Sequence, residues 1–269
     1  MSYYVYMVLA EDGAIGPVED ANVTFSRLFG APLSVTAGQF QIIDPLWKRE
    51  LRVTLEDYAI LKHRPGTSSA NLTYDRGVLL NVSPTATTSI AAELVNGNGI
   101  APATDEGSFD GDSPKTGFVA VTQAIGPFRA SVLGYYGNQQ FTPTGGTATT
   151  NRTRMVGPAL QARLGALDLG AQYVYRDDSD PDFTGGAPPL VTTRGGFVEA
   201  TWWPAGRSNR WLVTGLFNSV NSSQPGLDYE SGALNLSWLY ARNLRLASEF
   251  NWDFVADRAG LALGLVTAF

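Results

Sequence analysis

Cysteine is absent from the 269 residues, which excludes disulfides, thiolate metal centres, cysteine nucleophiles and haem attached within this chain. Histidine occurs once, at His63, too little for a transition-metal site without other soft ligands. Charge is also scarce. Asp, Glu, Lys and Arg make up 16% of the chain, low for a water-exposed surface. The net charge of −6, with no recurring basic patch, argues against a nucleic-acid partner. No apolar run approaches the ~20 residues of a membrane-spanning helix. The opening "MSYYVYMVLAED" has neither a charged n-region nor a small-residue cleavage site. An exported protein needs such a leader, so the expectation is that a leader and further strands precede Met1 in the native chain.

What the chain does have is alternation. In "NLRLASEFNWDFVA", Leu244, Leu246, Ser248, Phe250, Trp252 and Phe254 share one side, and Arg245, Ala247, Glu249, Asn251 and Asp253 the other. Side chains along a strand point to opposite faces, so one face is apolar and the other carries charge. "LDLGAQYVYR", "FRASVLGYYG", "SGALNLSWLY" and the closing "LALGLVTAF" repeat the pattern. It predicts about fourteen strands of roughly ten residues, the length that crosses a bilayer at a tilt. The spans are 2–10, 20–28, 33–42, 76–83, 87–97, 117–125, 127–137, 153–165, 167–176, 194–203, 209–220, 228–240, 243–255 and 258–269.

Short connections such as "SPTAT", "IGP" and "GALD" alternate with long ones rich in Gly, Pro, Asp, Ser and Thr. Short turns at one end and long loops at the other are the pattern of outer-membrane barrels. Aromatics gather near strand ends, among them Tyr135, Tyr173, Trp202, Trp211, Trp238 and Tyr240, where rings favour the membrane boundary. A soluble sandwich would turn a charge-rich face to water; here the polar face is dominated by Ser, Thr, Gly and Asn. The fold class expected is all-β: a single transmembrane antiparallel up-and-down barrel over residues 1–269, with its last strand pairing with its first. Phe269 at the end of an alternating strand resembles the C-terminal signal read by the bacterial outer-membrane assembly machinery. Thr267 stands where that signal usually has another aromatic.

The long connection 43–75 is the most individual part. Its "KRELRVTLEDYAILK" predicts a short helix, with Thr54 and Asp57 at capping-box-like spacing. Folded into the lumen, Lys48, Arg49, Arg52, Lys62 and Arg64 would form a cationic collar, offset by Glu50, Glu56 and Asp57. Left outside, the same residues would be a solvated loop of mixed charge. The flanking "AGQFQIIDP" and "YDRGV" resemble the phosphate-selective porin O/P type, with Gly38, Gln39 and Phe40 matching and Gln41 in place of the usual basic residue. That resemblance implies a barrel of up to sixteen strands. It extends to barrels that accompany c-type cytochromes, whose haem motif would lie upstream of Met1. Phosphate selectivity does not carry over, because no ladder of cations can be placed.

Catalytic and metal motifs are tested and set aside. His63 in "KHRPG" lacks the third group that would hold it as a base. Asp178, Asp180 and Asp182 have the spacing of a calcium loop, but Phe183 stands where that loop needs Gly and Pro189 where it needs Glu. A surface divalent site and a plain acidic loop both remain open there, as they do for Asp105, Glu106, Asp110 and Asp112. No cofactor motif occurs. By phase, Arg76, Glu93, Arg129, Arg163, Asp168, Arg176, Glu199, Arg245, Glu249 and Asp253 line the interior. There they either pair across strands or set a transverse field in an aqueous pore.

The resulting expectation is a non-enzymatic porin of the bacterial outer membrane, passing small hydrophilic solutes through a water-filled lumen. Its partners would be the bilayer and lipopolysaccharide, with a homotrimer as a compatible assembly. A sheath around a c-type cytochrome is the alternative, and an outer-membrane hydrolase a weaker one.

Overall fold

A computed structural model describes residues 1–7, 18–100, 114–142, 147–186 and 188–267. Phe269, parts of several long connections, and Asp105, Glu106, Asp110 and Asp112 lie outside the described residues. One antiparallel sheet contains fourteen strands in strict chain order. They are β1 (Ser2–Met7), β2 (Val18–Ser26), β3 (Leu33–Gln41), β4 (Tyr74–Val82), β5 (Thr88–Val95), β6 (Thr116–Ile125) and β7 (Phe128–Phe141). After these come β8 (Thr149–Leu164), β9 (Leu167–Asp178), β10 (Val191–Trp202), β11 (Trp211–Ser222), β12 (Tyr229–Ala241), β13 (Leu244–Asp253) and β14 (Arg258–Thr267). Each strand pairs with its sequence neighbour, as the alternation predicts. Among the described residues no ladder joins β14 to β1, so the expected first-to-last pairing is not among the observed ones.

The sheet is rolled. Laid flat, fourteen strands ~4.8 Å apart would span roughly 60 Å. Yet the single connection 42–73 touches wall residues from β7 to β14: Arg129 of β7 donates to Pro45 O, Arg245 of β13 to Val53 O, and Leu55 packs at Gly264 of β14. Only a wall curved around that connection allows this, and the architecture is an up-and-down barrel.

The outward face is apolar, with Leu160, Val198, Leu234, Leu236, Phe250 and Leu263 all exposed. At the short-turn end Trp211 and Trp238 stack at 5.6 Å, and Trp238 meets Tyr240 edge-on. Toward the long-loop end Tyr136, Tyr173 and Tyr175 are exposed. On β9, Tyr175 lies level with Arg194 and Leu167 level with Trp202. At ~3.3 Å per residue and a tilt near 40° that separation is about 20 Å of membrane height, close to the apolar band of known barrels.

The inward face departs from the expected polar lining. Phe118, Leu133, Val174, Phe197 and Leu216 point inward and are buried with Ile42, Ile43, Trp47, Ile60 and Leu61 of the connection. The barrel therefore has a hydrophobic core, supplied by its own loop.

Candidate functional site

The lumen is organised by residues 42–73, which fold inward and not out into solvent. The path begins at Gly38, whose φ of +131° and Ala21 carbonyl only 2.3 Å from an added Cβ leave room for no other residue. Gln39 donates to the carbonyls of Val18 and Glu19 at the rim, and Phe40 is buried. The two arms of the connection are zipped at their root by Ile42 N–H to Thr73 O at 2.7 Å and Ile43 N–H to Leu72 O at 3.3 Å. Little of the middle is helical: a 3-10 turn at Arg49–Leu51 and α1 (Ala59–Lys62). The expected capping box does not form. The Thr54 hydroxyl donates to Glu56 O at 2.9 Å, closing a local turn in place of a helix start.

Three groups of wall residues hold the loop. The first is aromatic. Phe197 stacks on Tyr58 at 4.0 Å and meets Trp47 edge-on at 5.0 Å, while the Tyr58 hydroxyl donates to Glu199 at 3.1 Å. Gly170 is the seat of the Trp47 ring, since a Cβ there would lie 2.5 Å from the indole. The second group is polar. The fully buried Glu249 accepts from Leu55 N–H and Glu56 N–H, each at 2.6 Å, and from Asn235 at 2.9 Å. Asn218 accepts from Ala59 N–H and donates to Asp57 O at 3.0 Å, and Arg245 donates to Val53 O at 2.6 Å. In the third group Arg176 forms a buried bidentate pair with Asp178 at 2.5 and 2.9 Å and donates to Ala70 O and His63 O. Asp178 is completed by Asn151 and Thr153.

The expected cationic collar is largely neutralised. Arg49 makes a two-pronged pair with Asp57, Lys62 reaches the same carboxylate at 2.8 Å, and Arg52 lies 3.8 Å from it. Lys48 pairs with Asp44. Burial alone would push the Asp57 carboxyl up, but the Arg49 bond, with Arg52 and Lys62 close by, holds it well below the ordinary carboxylate range. Burial, and then the Glu199 carboxylate, push the Tyr58 phenol well above its usual value. Arg64 is exposed.

Because the loop leans on the far wall, open space remains on the near side. A cavity of about 460 Å³ lies between the inner faces of β1–β4 and the loop. Asp20, Asn22, Thr24, Thr36 and Asn81 line it from the wall, and Asp44, Lys48 and Leu51 from the loop.

Glu93, Arg129, Arg163, Asp168, Arg176, Glu199, Arg245, Glu249 and Asp253 alternate onto the inward face. They do not form one constellation. Arg163, Asp168 and the turn residue Arg207 cluster at the short-turn end, with Arg207 to Asp168 at 2.8 Å. Asp253 caps the β13–β14 turn through Val255 N–H and Ala256 N–H. Glu93 is buried opposite Leu79 and Phe118, and neither of its oxygens meets a donor among the described residues. Arg76 departs from the expectation. It pairs with Gln39 and shares the outward side with Val78 and Leu80, while Asp75, Gly77 and Leu79 face in.

His63 places its ring nitrogens 3.1 and 2.9 Å from the carbonyls of Ala59 and Leu227, so its ring faces backbone acceptors on both sides and not a hydroxyl nucleophile. Asp180 accepts from Thr184 N–H and Gly185 N–H and Asp178 is taken up by Arg176, so two of the three aspartates of the calcium-like spacing are bound up in the local fold, while Asp182 is exposed. Among the described residues no group of three His or acidic side chains is arranged to hold a metal ion. Asn218, Asn235, Trp47, Tyr58 and Phe197 carry much of the anchoring and were not singled out by sequence. Asn218 and Asn235 sit at inward positions of clean alternation, which is the one signal that could have found them.

Compared with known proteins, the chain matches no family model and no curated protein sequence. Its fold does match solved structures. OmpT of Vibrio cholerae, in vitro folded and in trimer form, aligns with TM-score 0.62 at 12% identity over 99% of this chain and 81% of that one. The anion-selective porin from Comamonas acidovorans aligns with TM-score 0.59 at 11% identity over 95% of this chain and 75% of that one. The outer-membrane channel DcaP of Acinetobacter baumannii aligns with TM-score 0.59 at 13% identity over 98% of this chain and 78% of that one. The chain has the fold of outer-membrane porins.

Proposed function

We propose that this protein is a non-enzymatic porin of the bacterial outer membrane, in which small hydrophilic solutes or ions diffuse through an off-centre conduit. The observation that carries the reading is the polar cavity between β1–β4 and the inward loop. At about 30 Å³ per water it holds on the order of ten or more waters, enough for a hydrated path beside a filled core. Loop and wall together make the filter: Lys48 and Asp44 on one side, Asp20 and Asn22 on the other. Mixed charge of this kind supports weak ion preference, so the likeness to phosphate-selective porins, carried by Gly38, Gln39 and Phe40, is proposed as one of ancestry and not of solute. A homotrimer, as in the trimer form of the Vibrio protein, is the proposed assembly. A sheath for a cytochrome fits less well, because the loop already occupies the interior along β7–β13.

Purified protein in planar bilayers should give discrete conductance steps proportional to salt concentration, and Lys48→Glu should shift the reversal potential toward cations. Protein that inserts without conducting would refute the porin reading.

A further inference from the structure

One part of the outer wall breaks the lipid-facing pattern. β8 turns Arg152 and Arg154 outward and β10 turns Arg194 outward, all three exposed and all toward the long-loop end. Register brings them together. Arg154 lies opposite Asp177 on β9, and Arg194 lies opposite Tyr175, one outward position nearer the midplane. Two strand spacings separate them, about 10 Å, within the combined reach of two arginine side chains.

Among the described residues none of the three makes an ion pair. Arg154 rests over the Tyr136 ring at 6.0 Å. The intervening Asp177 accepts the Thr192 hydroxyl at 2.9 Å. Three guanidinium groups left beside an apolar band need an anionic partner, and Arg suits phosphate because its fork binds two oxygens at once.

Directly below, toward the bilayer centre, the wall is hollowed. A hollow of about 600 Å³ is lined by Pro158, Ala171 and Gly196, low positions on three neighbouring strands, interleaved with the larger Leu160, Tyr173, Val198 and Phe217. Its floor is low because these residues are small or unable to stand out from the sheet. Gly196 is required there, since an added Cβ would lie 2.0 Å from the Gln172 carbonyl. Cations above and an apolar channel below, in line along the strands, match an anionic headgroup over an acyl chain.

We propose that this face holds one phosphorylated lipid of the outer leaflet, its phosphate between Arg154 and Arg194 and one acyl chain in the groove. The inference rests on the outer-membrane reading and is independent of whether the lumen conducts.

The test uses the full chain in detergent, with lipid A carrying two phosphates as the probe and native mass spectrometry as the readout. The triple variant R152Q/R154Q/R194Q should bind this probe at least tenfold more weakly while its binding of dephosphorylated lipid A is unchanged. Ala171→Phe, which fills the groove, should weaken both lipids. Inorganic phosphate at tens of millimolar should displace neither. Retention within twofold by the triple variant overturns the proposal. So does displacement by free phosphate with no effect of Ala171→Phe, or dissociation of an oligomer by Ala171→Phe with lipid binding intact, which would make the groove a contact between copies. Should the triple variant fail to assemble, Arg194→Gln alone should cause a threefold loss, and no loss overturns the proposal equally. Conductance of the same variants in neutral bilayers should match wild type, so a silent channel would count against the porin reading alone.

Discussion

Replacing Glu249 with Gln should release the inward loop at residues 53–57. The carboxylate serves two loop donors, Leu55 N–H and Glu56 N–H, and a wall donor, Asn235. An amide keeps a single acceptor oxygen and turns an NH₂ toward one of the two loop N–H groups. The change removes one charge-assisted hydrogen bond, about 1.5–3 kcal/mol, and leaves one buried N–H unpaired, about 1–3 kcal/mol. The Arg245 bond to Val53 O and the Asn218 bond to Asp57 O remain at the two ends of the segment, so the loss falls on Leu55 and Glu56 between them. With a factor of ten for every 1.4 kcal/mol, the undocked population rises roughly a hundredfold or more. The absence of cysteine supplies the assay, because Thr54, buried within the docked segment, can become the only thiol in the chain. Maleimide labelling of Thr54→Cys should accelerate by about that factor when Glu249→Gln is added, with conductance rising in parallel. An acceleration of less than threefold would refute the idea that Glu249 holds the loop.

Three further outcomes follow from the same anchors. Asp57 has its carboxyl held below its unfolded value of 3.8, so its contribution to docking is present above that value and is lost as pH falls through the folded one. The Trp47 part of the fluorescence, taken as the difference from Trp47→Phe, should report loop loosening as acid is added below about pH 4, and Asp57→Asn should remove that step. Gly170→Leu puts a side chain where the Trp47 ring lies, an overpacking of about 1–3 kcal/mol. It should red-shift the Trp47 emission, taken as the difference from Trp47→Phe, by pushing the buried ring toward water, and lower the heat needed to unfold the barrel on denaturing gels; an unchanged spectrum would remove Gly170 as the seat. Arg176→Met strands the buried Asp178 and should cost about 3–5 kcal/mol, whereas Arg176→Met with Asp178→Leu should recover part of it in the same heat assay.

The strands were legible because a period of two is written into every segment, and the repetition compensates for weak single signals. Boundaries shifted where pairing extends beyond the alternation. β8 begins at Thr149 because β7 runs on to Phe141 and gives it partners there. Alternation alone puts Arg76 on the inner face, because Val78, Leu79, Leu80 and Val82 place apolar residues on both faces, and only register shows Leu79 turned inward. The destination of the loop was not legible. Glu249 and Arg176 read as ordinary lumen residues, and nothing local tells that their partners lie more than a hundred positions away. The sequence pattern also hid the apolar inner face, since Phe118, Leu133 and Phe197 look like breaks in alternation until a covering element is known.

That remoteness carries a consequence for assembly. Leu55 and Glu249 are 194 positions apart, and the strand bearing Glu249 follows almost everything else in the chain. Contacts so distant form late, because the intervening polypeptide must first be ordered. A nascent barrel would therefore pass through a wide-bore stage, with the plug swinging into its berth only once the far staves are standing. Its permeability would be fixed in the last moments of biogenesis.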